Sequence, residues 1–292
     1  LTSGFNIGRD ISQDFEFNEM MGFTKSELIE LMEKQNITKE EQENLLPIMK
    51  ENYDGYNFSI YGQEKVYNSN MCLYLLTYYV RVKMLPYKLL DMNIASDYSK
   101  LGKMLDLCQG ENTIEIMEKA IAGEGIISEI TQKFNPAMEF TEKELVSMLF
   151  YLGYLTASGE ILGKTELNIP NKAMKEIYSS YFLKILNEKA QLTISENDYN
   201  EILKEIAYEG KIEQVIDVLK RYLSNLSNRD FQRFDEKYVK LIFYCISMNL
   251  TFFRVKSEME VERKYPDILL IPKQDQEKYY GVMIEFKYLK KE

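Results

Sequence analysis

The stretch that decides the reading is Pro266-Asp267-Ile268-Leu269-Leu270-Ile271-Pro272, a polar link from Lys273 to Lys278, and an apolar run from Tyr279 to Leu289 that contains Ile284-Glu285-Phe286-Lys287. Two apolar runs of strand length around a short polar link read as a hairpin. Side chains alternate along a strand, so Glu285 and Lys287 share one face and Phe286 takes the other. Pairing the two strands brings Asp267 and Glu285 to one edge. Two carboxylates there suit Mg²⁺, or Mn²⁺ in its place, because such hard cations take oxygen ligands. Lys287 then lies beside the metal, where it orients a water or stabilises charge on a phosphate. Glu260, seven residues before Asp267, reaches the same metal from the preceding segment. The expected catalytic residues are therefore Asp267, Glu285 and Lys287, and the expected metal ligands Glu260, Asp267 and Glu285.

An acid-x-Lys triplet alone says little, since it recurs at Glu209–Lys211, Asp235–Lys237 and Glu262–Lys264. Its setting separates 285–287 from the others. Charges inside a run as apolar as Val282 to Leu289 are costly if buried without partners, and the Pro-Asp strand stands at hairpin distance.

Composition narrows the chemistry in the same direction. The 292 residues include no histidine and no tryptophan. Ser-His-Asp and Cys-His hydrolysis both need an imidazole base. The usual zinc sites draw on histidine, and three cysteines cannot make a four-thiolate site. Carboxylate, lysine and tyrosine chemistry remains. Cys72, Cys108 and Cys245 are far apart and odd in number, which reads as reduced core thiols in a cytoplasmic protein. No run approaches the ~18 apolar residues of a membrane span. The start, Leu1-Thr2-Ser3-Gly4, has neither a basic nor an apolar leader region and no initiator Met, which reads as a fragment or a processed chain rather than a signal peptide.

The net charge is −10. An acidic chain is a poor non-specific DNA binder, because duplex affinity comes largely from Lys and Arg on phosphates. The charge is uneven, however: from Thr251 to Glu292 nine basic residues face eight acidic ones, so this end does not repel a polyanion.

Upstream the pattern is mostly helical. Thr24 with Glu27, Thr38 with Glu41 and Thr141 with Glu144 are capping boxes. Asn68-Ser69 can cap an apolar helix over 70–82, with Pro86 breaking it. Two short helices are expected over 97–122, with a break near Gly110, and two more over 197–224 around Gly210. Asp235 opens another, with Val239, Ile242, Phe243 and Ile246 on one side, before a first strand over 250–255. After the helix that ends near Phe150, Leu152–Thr156 reads as a strand, Ser158-Gly159-Glu160 as a turn and Leu167–Asn171 as the returning strand, with a helix from Lys172. That order is the pattern of a winged helix. Its turn offers only Lys164 and Lys172 as basic residues, against Glu160 and Glu166, which makes a DNA-reading regulator the weakest of three readings.

Pro266-Asp267 with Glu285-x-Lys287 resembles the PD-(D/E)XK nuclease superfamily, and more closely a bacterial and archaeal group in which an AAA-ATPase-like domain precedes such a nuclease domain. Ser3-Gly4-Phe5-Asn6-Ile7 and Met21-Gly22-Phe23-Thr24 resemble segments near the end of that ATPase core. Tyr53-Asp54-Gly55-Tyr56 with Tyr67-Asn68 resembles a signature of the group. Asn93–Tyr98, Tyr151–Thr156 and Ile169-Pro170-Asn171 follow in order. Ser257 to Asp267 resembles the segment carrying the first acidic residues, with Glu262 and Lys264 where the group often has glycines.

The resemblance implies an α+β chain: a mostly helical N-terminal region with a winged-helix-like unit, then a small mixed α/β, restriction-endonuclease-like domain. Residues 1–85 would be the lid-like end of the ATPase-like domain, 86–190 the helical and winged-helix-like region, and 191–292 the nuclease-like domain. The superfamily completes its sheet with a further helix and strands after the Glu-x-Lys strand. The Gly-rich phosphate loop followed by Lys and Ser or Thr is absent, so ATP is a ligand only where an N-terminal ATPase core is present. The implied activity is metal-dependent hydrolysis of nucleic acid, with DNA ahead of RNA. The alternative is a non-catalytic interaction module of an ATPase-type machine, with a partner protein in place of nucleic acid.

Overall fold

The computed structural model describes residues 11–62, 64–90, 98–107, 112–131, 141–226, 236–257, 266–273 and 278–287. They are α+β, with two small antiparallel sheets among many helices. The chain divides into two compact units, Leu1–Lys175 and Glu176–Glu292.

The first unit opens with three helices set by their caps. Thr24 starts α1 (Lys25–Lys34) and Thr38 starts α2 (Lys39–Tyr53), each through the expected capping box. Asn68 starts α3 (Ser69–Val82) by accepting from the Met71 N–H at 3.1 Å. Leu28 and Met32, Leu45, Met49 and Tyr53, and Met71, Cys72, Leu75 and Leu76 are the buried residues of the three helices' apolar positions. α3 ends earlier than Pro86 requires. Lys83 takes a left-handed backbone (φ 57°), and its ammonium binds Glu41 at 2.8 Å, joining α3 to the start of α2. Cys72 is a buried thiol, as Cys245 is in the second unit; Cys108 lies outside the described residues, as does the Gly110 break.

Helices α4 (Tyr98–Leu107) and α5 (Asn112–Ala122) lead to a short strand that sequence reading missed, β1 (Ile126–Ser128). After α6 (Glu142–Tyr151) the hairpin is displaced from its expected place. Leu152-Gly153-Tyr154 ends the helix rather than opening a strand. Gly153 has φ +75°, its N–H reaches Phe150 O (3.0 Å), and Tyr154 N–H reaches Leu149 O (2.8 Å), the paired bonds of a glycine-terminated helix. Strand β2 is Thr156–Ile161 and β3 is Lys164–Asn168, so the turn is Leu162-Gly163. Gly159, expected in the turn, sits instead at a register shift within β2. The sheet order is β1-β3-β2. The next helix, α7 (Lys172–Ala190), starts where expected.

In the second unit, α8 (Glu196–Lys204) continues into one π-helical turn, Glu205–Glu209, closed by Gly210 at φ +66°. α9 (Glu213–Asn225) and α10 (Glu236–Met248) follow. α10 is not one-sided as expected: every residue from Leu241 to Met248 is buried. It leads into the sheet β4 (Phe253–Ser257), β5 (Ile268–Pro272), β6 (Val282–Ile284), paired antiparallel in that order. No helix among the described residues is long and apolar enough to cross a membrane.

Candidate functional site

Strand β5 follows Pro266-Asp267 and alternates, with Ile268 and Leu270 buried and Leu269 and Ile271 half-buried. It pairs with β6 through Ile268↔Ile284, Leu269↔Met283 and Leu270↔Val282. Asp267 and Glu285 stand one residue beyond the last paired positions, Ile268 and Ile284. Opposed residues share a sheet face, so Leu269 and the exposed Met283 lie together. Phe286 takes the other face, edge-on to Phe243 of α10 with ring centroids 5.5 Å apart.

Asp267 is held from two directions. Its Oδ2 accepts from the Phe286 backbone N–H at 2.7 Å, and its Oδ1 accepts from Lys240 Nζ of α10 at 2.9 Å. The Lys240 and Asp267 side chains are 23% and 21% exposed. Burial pushes the Asp267 carboxyl up, but the Phe286 N–H and the Lys240 ammonium together pull it below its ordinary value. Glu285 and Lys287 form an ion pair at 2.5 Å on the exposed face. That pair raises the Lys287 pKa, with smaller contributions from Glu236 and Asp267.

Lys287 is thus paired with Glu285 and within electrostatic reach of Asp267. Glu260 lies outside the described residues. Among the described residues no group of three or more acidic or cysteine side chains is placed to hold a metal ion. Two contributors were missed in the sequence, Lys240 and Glu236, both from the first turns of α10. A signal existed for Lys240. It stands between Val239 and Leu241 in an apolar helix, where a cation needs a partner.

The motifs of the first unit converge too, but on backbone support rather than chemistry. Gly55 has φ +108°, and a Cβ there would stand 2.1 Å from Pro170 O. Asn171 donates to Asp54 O (3.0 Å) while its Oδ1 accepts from Met174 N–H at the start of α7. Thr156 Oγ1 accepts from Asn57 N–H at 2.7 Å and faces Gly55 O and Asn57 O, both at 3.1 Å. Asn68 N–H donates to Tyr53 O (2.8 Å), and Tyr56 bridges to Val66. Burial raises the Asp54 carboxyl, and it pushes the Tyr67 hydroxyl and the Cys72 thiol up to about 12 each. A thiol in that state is inert at neutral pH. The Asn93–Tyr98 motif falls, but for Tyr98, outside the described residues.

No family model, no curated protein and no solved structure matches this chain.

Proposed function

We propose that the second unit carries a metal-dependent phosphodiesterase site acting on nucleic acid, DNA ahead of RNA. The observation that supports this reading is the β5–β6 pairing, beyond whose last partners, Ile268 and Ile284, Asp267 and Glu285 follow on their strands' ends, with Lys287 ion-paired to Glu285. The donor set fits a hard cation. Mg²⁺ is commonly held by one or two carboxylates and keeps several waters, and Asp267 and Glu285 offer two carboxylates, Glu285 the more exposed of them. When bound, the ion supplies Lewis-acid polarisation and a water that ionises near neutral pH. Lys287 then meets the phosphate as a compact positive charge, and the Phe286 N–H fixes the Asp267 carboxylate without using a side chain. The order α10-β4-β5-β6 supports the reading as the first half of a restriction-endonuclease-like core. Likewise α5, β1, α6 and the β2–β3 hairpin support a winged-helix-like unit that serves as a packing module.

A second reading is favoured by a specific feature: both carboxylates already have cationic partners, Lys240 and Lys287. A site neutralised from within suits a non-catalytic interaction module built on the same sheet. The test is nicking of supercoiled DNA under a Mg²⁺ titration, with Asp267→Asn, Glu285→Gln and Lys287→Ala alongside the parent chain. The catalytic reading expects each variant to lose about a hundredfold or more. Equal activity in all four proteins removes it. Calorimetric Mg²⁺ uptake that Asp267→Asn abolishes would in turn exclude the non-catalytic reading.

A further inference from the structure

At the loop end of the same β5–β6 hairpin, aromatic rings come together that the proposed cleavage site does not use. Tyr279 is wedged between Phe252, edge-on at 4.9 Å, and Tyr208 of the π-helical turn at 5.5 Å. The hydrogen bond that the Tyr279 hydroxyl shares with Tyr208 raises the Tyr279 pKa. The Tyr280 ring lies against Gly210, where a Cβ would come within 3.0 Å of it, and Tyr280 N–H is bonded to Ala207 O at 2.9 Å. The rings are thus fixed by backbone and by one another. Tyr208 and Tyr280 nevertheless stay 62% and 55% exposed. One-turn π insertions in helices are frequent at functional sites, and this one displays Tyr208.

We infer that Tyr208, Tyr279 and Tyr280 form a stacking platform for unstacked bases of single-stranded DNA, an inference that rests on the nuclease reading of the hairpin. Three features favour bases over a protein partner. The rings are held before any ligand arrives, so little side-chain freedom is lost on binding. Lys278 is an exposed cation next to Tyr279. And one hairpin carries both groups, the rings at its loop and Asp267 at its other end. The five residue steps from Asp267 along β5 to Pro272 span about 17 Å at ~3.4 Å each, about five stacked base steps. That falls within the roughly 4–16 nucleotides of a single-strand site. Stacking also suits an acidic protein, because it draws affinity from ring faces rather than from neutralised phosphates.

The test is fluorescence anisotropy of a labelled oligo(dT) of about 20 nucleotides with the full chain in EDTA, so that no cleavage occurs. Tyr208→Ala and Tyr280→Ala are each expected to weaken binding about tenfold. Tyr208→Phe, which keeps the ring, is expected to bind within about threefold of the parent, and the salt dependence is expected to be shallow. Unchanged binding by the Tyr208→Ala/Tyr280→Ala double variant overturns the proposal, as does absence of binding by the parent chain. So does a double variant that loses concentration-dependent self-association while its oligo(dT) binding is intact, which would make the patch a protein interface. Because binding is read without metal, a parent chain that binds but never nicks refutes the cleavage site and leaves the platform standing.

Discussion

Replacing Gly55 with alanine measures how tightly the first unit's motifs depend on one another. Two costs arise at this position. The backbone stands at φ +108°, a region closed to L-residues, which costs about 1–3 kcal/mol. The new Cβ would also lie 2.1 Å from Pro170 O. That neighbour is backbone rather than a flexible side-chain tip, so relief requires moving the segment that carries Asn171, whose side chain holds Asp54 O and the start of α7. Forced overpacking of this kind costs about 1–3 kcal/mol more. Together the loss is about 4 kcal/mol, which lowers the melting temperature by roughly 8–16 °C for a unit of this size. Gly123→Ala is the control. It shares a positive φ, +76°, but has nothing within 4 Å of the added carbon, so only the conformational cost of about 1–2 kcal/mol applies. Urea unfolding followed by far-UV circular dichroism suits a chain without tryptophan. If Gly55→Ala is no more destabilising than Gly123→Ala, the close approach to Pro170 is wrong, and with it the convergence of the motifs.

Leu162→Asn is expected to stabilise the chain. Leu162 is 98% exposed at φ +52° and precedes Gly163 at φ +77°, and a hairpin turn with two positive φ values prefers Asn-Gly; a gain of about 1 kcal/mol should raise the melting temperature by roughly 2–4 °C, and a fall counts against the turn assignment. Asn18→Ala should cost about 3 kcal/mol, because this buried side chain accepts from Phe58 N–H (2.8 Å) and Ser59 N–H (2.9 Å) and donates to Glu64 O (2.8 Å), and its loss strands those backbone groups; limited proteolysis near Ser59 gives a second read-out. The Lys83 ammonium and the Thr38 N–H hold the Glu41 carboxyl at about 2. A depressed carboxylate contributes stability above its ordinary pKa and loses it as pH falls toward the folded value, so Glu41→Gln should flatten the acid limb between roughly pH 4.5 and pH 2 in urea midpoints. Asp267 is lowered in the same sense, and Lys240→Met should raise the pH at which it protonates, as read by NMR of the carboxyl carbon.

Legibility in the sequence followed the range of the interactions. The starts of α1, α2, α3 and α6 were readable because a cap and its partner sit within three residues. The β5–β6 hairpin was readable because alternation and a polar link are also local. The end of α6 was not. Leu152-Gly153-Tyr154-Leu155 is apolar enough to pass for a strand, and only the left-handed Gly153 with its two bonds back to the helix reveals a terminator. That misreading then displaced the hairpin, because the turn was sought at Gly159 rather than at Gly163. β1 escaped because three residues carry too little pattern, and its pairing with β3 spans about forty residues of chain. Of the candidate site, the shared face of Glu285 and Lys287 was legible as a strand alternation, and the two are ion-paired. Lys240 was not, because its link to Asp267 depends on where α10 packs.

Lys240 also decides how the two functional readings should be weighed. A carboxylate pair awaiting a cation carries like charges at close range, which destabilises the fold unless something neutralises them. Lys240 on Asp267 and Lys287 on Glu285 do that without metal. The two lysines are not equivalent, however. Lys287 is exposed and free to swing, whereas Lys240 is half-buried on a helix whose later residues are wholly buried. A metal held by these carboxylates would displace Lys287 from Glu285 at little cost, but it would compete with Lys240 for one oxygen of Asp267. Removing that competitor separates the readings. If Lys240 merely stands in for the ion, Lys240→Met should tighten Mg²⁺ binding and leave nicking intact or faster. If Lys240 is the permanent partner of Asp267 in a non-catalytic module, the same variant should lose stability at neutral pH and still take up no metal in calorimetry.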